Sequence, residues 1–247
     1  MKLAVKTVCS TLAFVLSAAA SASSQNGVSL PSADDVVAKM MRVDADRRSE
    51  LTGYSATRRY VAVNRDRHAE MLVRVDCSPD GTKQFTIISE EGSKSIRKQV
   101  FRKMLSEESE ASRRESRDGS RIIPANYKFN LVGQEALDTG LAYVLAIIPR
   151  ADNKHLIDGR IWVNAKDFSI VRIEGQPAHN PSFWVHDVHF VHTYQRVGPF
   201  WFAASTHSTS EVRIFGPSTL TIHNSDYVLN PLNSRAAETD SIARLVP

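Results

Sequence analysis

The feature that most restricts the fold is a series of period-two segments filling the second half of the chain. After Pro124 come NYKFNLV, LAYVLAIIP, GRIWVNA, FSIVRIEG, SFWVHDVHFVHTYQ, WFAASTHSTSEVRI and STLTIHNSDYVL. Each is rich in β-branched and aromatic residues. The short links between them, including Asp158-Gly159, Val197-Gly198-Pro199 and Phe215-Gly216-Pro217, read as turns. Three similar segments lie upstream: YSATRRYVAV, HAEMLVRVDC and, after the turn Pro79-Asp80-Gly81, KQFTIIS. Ten strands joined mostly by hairpin-length links predict a mainly β (α+β) chain built as a large antiparallel meander.

Two segments follow the helical period instead. Residues 32–50 open with Ser32 as cap and Asp34 and Asp35 at the positive end, and carry Val36, Val37, Met40 and Met41 as an apolar stripe. Residues 93–116 place Ile96, Val100, Phe101, Met104 and Leu105 on one side, with Lys94, Arg97, Lys98, Arg102 and Lys103 crowding the other. This second helix admits three readings: a helix packed on the sheet with solvated charges, a movable lid over a cavity, or a membrane-surface helix. Glu107, Glu108 and Glu110 weigh against the third, because anionic lipid repels them.

One face of the sheet is apolar. Tyr127, Phe129 and Leu131 alternate with Asn126, Lys128 and Asn130, while Met71 and Val73 alternate with Glu70 and Arg74. A strongly curved sheet of about ten strands encloses more volume than its own side chains fill, which is how larger barrels hold ligands. Trp162, Trp184 and Trp201 are candidates for such a wall, with ordinary core as the alternative.

The N-terminus has the form of a secretory signal peptide. Lys2 and Lys6 precede an apolar run from Val8 to Ala20, and Ala20-Ser21-Ala22 suits cleavage after Ala22. The run is too short and too diluted by Ser and Thr for a membrane span. Cleavage removes two lysines and lowers the formal charge from +4 to +2, which is no nucleic-acid signature. It also leaves Cys77 as the one cysteine, expected to be a buried small hydrophobe after Met71, Val73 and Val75. Residues 23–229 are then read as one domain, and the polar stretch 230–247 as a loose tail.

Catalytic and metal patterns are weak. His186, His189 and His192 could share a metal on a helix, but the segment WVHDVHFVHTY reads as a strand. There His189 is expected to point away from the other two, which would stand roughly 20 Å apart. Asp138-Thr139-Gly140 spells the triplet of aspartic proteases, yet its neighbours make a hairpin turn the simpler reading. There is no G-x-S-x-G elbow, H-E-x-x-H, phosphate-binding glycine loop or C-x-x-C. No metal, cofactor or enzymatic activity is expected.

Two blocks, LIDGRIWVNAKDFSIVRIEGQPA (156–178) and PSFWVHDVHFVHTYQRVGPFWFAASTHSTSEVRIFG (181–216), carry a resemblance. Together with the leader, the first helix and the interrupted meander, they resemble bacterial outer-membrane lipoprotein-sorting proteins, relatives of the periplasmic LolA and LolB carriers. The likeness spans roughly residues 32–229 and is strongest from Gly159 to Gly216. It implies an incomplete antiparallel β-barrel of ten or eleven strands, covered by helices, with a hydrophobic cavity. No individual functional residue of those carriers maps onto this chain. The resemblance implies a periplasmic carrier of lipoprotein or lipid acyl chains that meets an inner-membrane donor, an outer-membrane acceptor and, transiently, the membrane. Its candidate wall and lid residues are Ile96, Val100, Phe101, Met104, Met71, Val73, Tyr127, Phe129, Leu131, Trp162 and Trp184. A sensor of the same fold that binds a protein segment in envelope stress signalling is the alternative, and a hydrolase with scattered residues stands third.

Overall fold

Ser32 begins the first helix as its sequence predicts: its hydroxyl accepts the Asp35 N–H, and α1 runs Ala33–Glu50 with Asp34 and Asp35 at the positive end and Arg47 and Arg48 at the negative one. The computed structural model describes residues 30–113, 118–153, 155–179, 185–213 and 216–230. The expected signal peptide, residues 1–22, and the 230–247 tail, apart from Asn230, lie outside these residues.

Ten strands follow: β1 Tyr54–Asn64, β2 Arg67–Cys77, β3 Lys83–Gly92, β4 Tyr127–Leu137, β5 Gly140–Pro149, β6 Ile157–Asn164, β7 Ile170–Pro177, β8 Val185–Val197, β9 Phe200–Val212 and β10 Gly216–Leu229. They form one antiparallel sheet in the order β3-β2-β1-β10-β9-β8-β7-β6-β5-β4. The sheet is open, with β3 and β4 as its edges. Chain order is kept on each side of the β1–β10 pair, so hairpins make nearly every connection.

The second helix, α2, joins the two edges. It is built of an α-helical turn Lys94–Ile96, a π-helical segment Arg97–Phe101 and an α-helical segment Arg102–Ala111. The π turn changes the phase of its apolar side. With more than four residues per turn, the residue beneath Ile96 is Phe101 and not Val100. Ile96, Phe101 and Leu105 are buried accordingly, and Val100 is 37% exposed. The expected stripe is corrected at this one position.

Asp158-Gly159 is a second correction, because it forms no turn. Gly159 lies inside β6, paired with Gly175 of β7. A Cβ on Gly159 would come within 2.1 Å of the Glu174 carbonyl oxygen, and one on Gly175 within 2.3 Å of that of Asp158. Glycine is required there by the close approach of two backbones.

Candidate ligand-binding site

One face of the sheet can be followed straight across. Met71, Tyr60, Ile222, Thr206, His192, Ile173, Ile161, Leu145 and Leu131 are directly paired neighbours, one from each strand between β2 and β4. They therefore share a face, and both helices pack on it. Helix α1 lays Val36, Val37 and Met40 on Tyr127, Leu145, Ile147, Ile161, Val163 and Ile173. Helix α2 lays Ile96, Phe101 and Leu105 on Tyr60, Met71, Val73, Val75 and Ile222. Burial of each such side chain contributes about 1.5–3 kcal/mol.

Between these two apolar patches runs a polar seam. His192 Nδ1 sits 2.6 Å from Thr206 Oγ1, and its ring stands edge-on to Tyr194 at 4.7 Å. Beside the seam, buried Arg58 donates to Glu108 of α2 at 2.5 Å, to Tyr60 at 3.1 Å and to Asn224 at 2.7 Å. Lys83 reaches the other Glu108 oxygen at 2.7 Å. Burial works against ionisation of Glu108, but Lys83 and Arg58 outweigh it and hold the carboxyl down at about 2. The C-terminal end of α2 also covers the start of edge strand β3: Ser112 accepts the Lys83 N–H and Ser109 donates to the Lys83 carbonyl.

A cleft of about 220 Å³ opens under α1. Its apolar lining includes Met40, Met41, Val43, Ile122, Ile123, Phe168 and Ile170, with Tyr194 and Trp201 from the strands. Burial pushes the Tyr194 phenol up to about 12, so it stays neutral. The polar part of the lining is Asp44, Arg47, Arg121 and Ser169. The cleft lies just below the 300–1,000 Å³ of ordinary ligand pockets, so only part of a long ligand fits while α1 sits as it does here.

The residues expected from the sequence to form wall and lid divide into groups. Met71, Val73, Ile96 and Phe101 are together in the patch beneath α2, with Met104 half-buried at its margin. Tyr127 is fully buried beneath α1, where its hydroxyl accepts the Ile157 N–H, and Phe129 and Leu131 are half-buried beside it. Val100 points outward. Trp162 lies between Ile161 and Val163 and so faces the reverse side, where it packs with Ala142 and Val144, donates to Glu135 and lies under the Arg172 guanidinium. Trp184 lies outside the described residues.

The cleft under α1 and the Arg58–Glu108–Lys83 cluster were not singled out in the sequence. For Arg58 a signal exists, since Ala56, Arg58, Tyr60 and Ala62 alternate along β1 and are all buried. A charge at a core-facing position announces a partner.

The histidine segment is a strand, as expected, but its parity differs. A bulge around Asp187, whose φ is 50°, shifts the register between His186 and His189. His186 and His189 consequently share a face, and His192 takes the other. Among the described residues no group of three or more His, Cys, Asp or Glu side chains is arranged to hold a metal ion. Asp138 and Thr139 form the β4–β5 hairpin turn, with Gly140 at φ 109°. Cys77 is buried at the end of β2.

No family model and no curated protein matches the chain. Among solved structures it is similar to a DUF1329 family protein from Desulfovibrio piger, with TM-score 0.45, 13% identity, and 86% of this chain and 99% of that one covered. It is also similar to a putative outer membrane lipoprotein-sorting protein domain from Vibrio parahaemolyticus, with TM-score 0.42, 13% identity and coverage of 85% and 98%. A LolA superfamily protein from Nitrosomonas europaea has TM-score 0.37, 11% identity and coverage of 83% and 97%. No residue role is carried over from any of them.

Proposed function

We propose that this chain is a periplasmic carrier that shields acyl chains of lipoproteins or other lipids against the covered face of its sheet. The observation that carries the reading is the cleft under α1, where apolar side chains of a helix, two loops and the sheet surround space that they do not fill. An acyl chain gains about 0.8 kcal/mol for each CH₂ buried, so it crosses water only when shielded. A carrier must also release it. Two helices lying on separate patches suit this task, because either can lift without unpairing a strand. The candidate wall comprises Met71, Val73, Tyr127, Phe129 and Leu131, with Ile96, Phe101 and Met104 on the cover. On this reading the chain performs no catalysis.

The test is uptake of a fluorescent fatty acid or lipopeptide by delipidated protein. Saturable binding at one or a few sites is expected, and absence of saturable uptake overturns the proposal.

A second reading, a sensor that binds a protein segment, has one observation in its favour. Edge strand β4 has a single strand neighbour, and Val132 on it is 57% exposed. An extended segment could add to that edge. Copurification of an inner-membrane protein without lipid favours this reading over the first.

A further inference from the structure

The charges around the cleft under α1 are unbalanced. Asp44 accepts Arg121 at 3.0 Å and also pairs with Arg48 at 3.4 Å. Asp167 accepts the Trp201 indole N–H and the Ser169 N–H. Lys39 lies over the Phe168 ring at 4.7 Å. Arg47 remains. Its guanidinium rests on the Phe202 ring at 5.3 Å, and its Nε–H is buried with no hydrogen-bond partner among the described residues. A buried donor left without an acceptor is costly, and a cation beside an apolar slot attracts whatever supplies one.

We infer that the cleft takes a single-chain amphiphile with an anionic head, its carboxylate or phosphate received by Arg47 at the mouth and its chain laid along Met40, Met41 and Ile170. The inference rests on the carrier reading and names the ligand class of the same site. The geometry suits the two parts of such a molecule. Val36, Val37 and Met40 hold the inner side of α1 on the sheet, so Arg47, two turns beyond Met40 on nearly the same side, stands where the apolar lining ends. A planar guanidinium receives carboxylate and phosphate alike through paired N–H donors. The head therefore satisfies Arg47 while the chain fills space the protein leaves open. Neutral or cationic heads of the same chain length gain nothing there.

The experiment is calorimetric titration of the delipidated full chain with monomeric dodecanoate, dodecyl phosphate and dodecanol, repeated with Arg47→Met and with Arg48→Met as a neighbouring exposed control. Circular dichroism confirms that both variants are folded. The expected result is that the two anions bind about 10- to 100-fold more tightly than dodecanol, the range of one charge-assisted contact, and that Arg47→Met alone abolishes the difference. A preference for one anion assigns the head as carboxylate or phosphate. Equal binding of all three ligands overturns the inference and leaves the carrier reading standing. An anionic preference that survives in Arg47→Met removes Arg47 from the site and overturns it as well. If none of the three binds, the carrier reading falls and this inference with it.

Discussion

His192 and Thr206 are directly opposed on β8 and β9, 2.6 Å apart through Nδ1 and Oγ1, at the centre of the face that both helices cover. They interrupt an otherwise apolar row, with Ile222 on one side and Ile173 on the other. The interruption divides the covered face into two patches, and each helix owns one of them.

The pair makes stability depend on pH. Burial, with the positive charges of Arg58 and Lys83, pushes His192 down to about 4. Its folded pKa is thus below the unfolded value near 6.5, so below that value the unfolded chain takes up a proton that the folded one refuses. Stability is fully present above about pH 6.5 and falls toward pH 4. Wild type should lose about 2 kcal/mol between pH 7 and pH 4.5 from this group, an order-of-magnitude figure from the same linkage. His192→Gln should lose correspondingly less. Urea unfolding of both proteins at the two pH values measures the difference, and equal losses would remove His192 as the source.

Glu108 should anchor α2 through Arg58. Its removal in Glu108→Ala leaves a buried guanidinium without its carboxylate, at a cost of about 2 kcal/mol, less than the about 3–5 kcal/mol of fully buried pairs because the Glu108 side chain is 32% exposed. Arg58→Met combined with Glu108→Leu should be milder than the single change, since the buried guanidinium is removed with its carboxylate and the remaining charge, Lys83, has access to water. Denaturant midpoints decide the order. Hydrogen exchange should show faster opening of residues 102–111 in Glu108→Ala.

The π turn of α2 predicts opposite outcomes for adjacent residues. Phe101 is fully buried against Tyr60, so Phe101→Ala should cost about 3 to 5 kcal/mol through cavity formation. Val100→Ala should change stability by no more than about 0.5 kcal/mol. A regular α-helix would bring Val100 under Ile96 and give Val100→Ala a cost of its own. Thermal melts of the two variants separate the two geometries.

Much of the fold could be read along the chain because strands and amphipathic helices encode their faces locally. Each of the ten alternating segments lies in a strand over most of its described residues, and Ser32 caps α1 where its neighbours require. What could not be read is set by partners distant in sequence. Asp158-Gly159 has the composition of a turn, and only its pairing with Gly175 explains a strand glycine. The π turn adds one residue to a helix whose period looks ordinary, so Val100 leaves the apolar side while Phe101 keeps its place, without a visible signal. The bulge at Asp187 does the same to the histidines of β8. The cleft under α1 draws on the helix, residues 121–123, residues 168–170 and two strands, and no stretch of sequence brings those together.

The Gly159–Gly175 pair offers the sharpest contrast between backbone approach and open space. In Gly159→Ala the new Cβ meets the Glu174 carbonyl at 2.1 Å, and in Gly175→Ala it meets that of Asp158 at 2.3 Å. Backbone on both sides leaves nothing flexible to yield, so each change must part β6 from β7 beneath the α1 patch. A cost of about 3 kcal/mol is expected for each, the upper range for overpacking. Gly133 in edge strand β4 has nothing within 4 Å of the place a methyl group would take, so Gly133→Ala should be neutral or stabilising by up to about 1 kcal/mol. Because β6 and β7 support Ile161 and Ile173 under α1, the two costly variants should also weaken fatty-acid uptake while Gly133→Ala leaves it unchanged. Equilibrium unfolding of the three proteins checks the order, and a Gly159→Ala variant as stable as wild type would mean that the strands do not approach so closely.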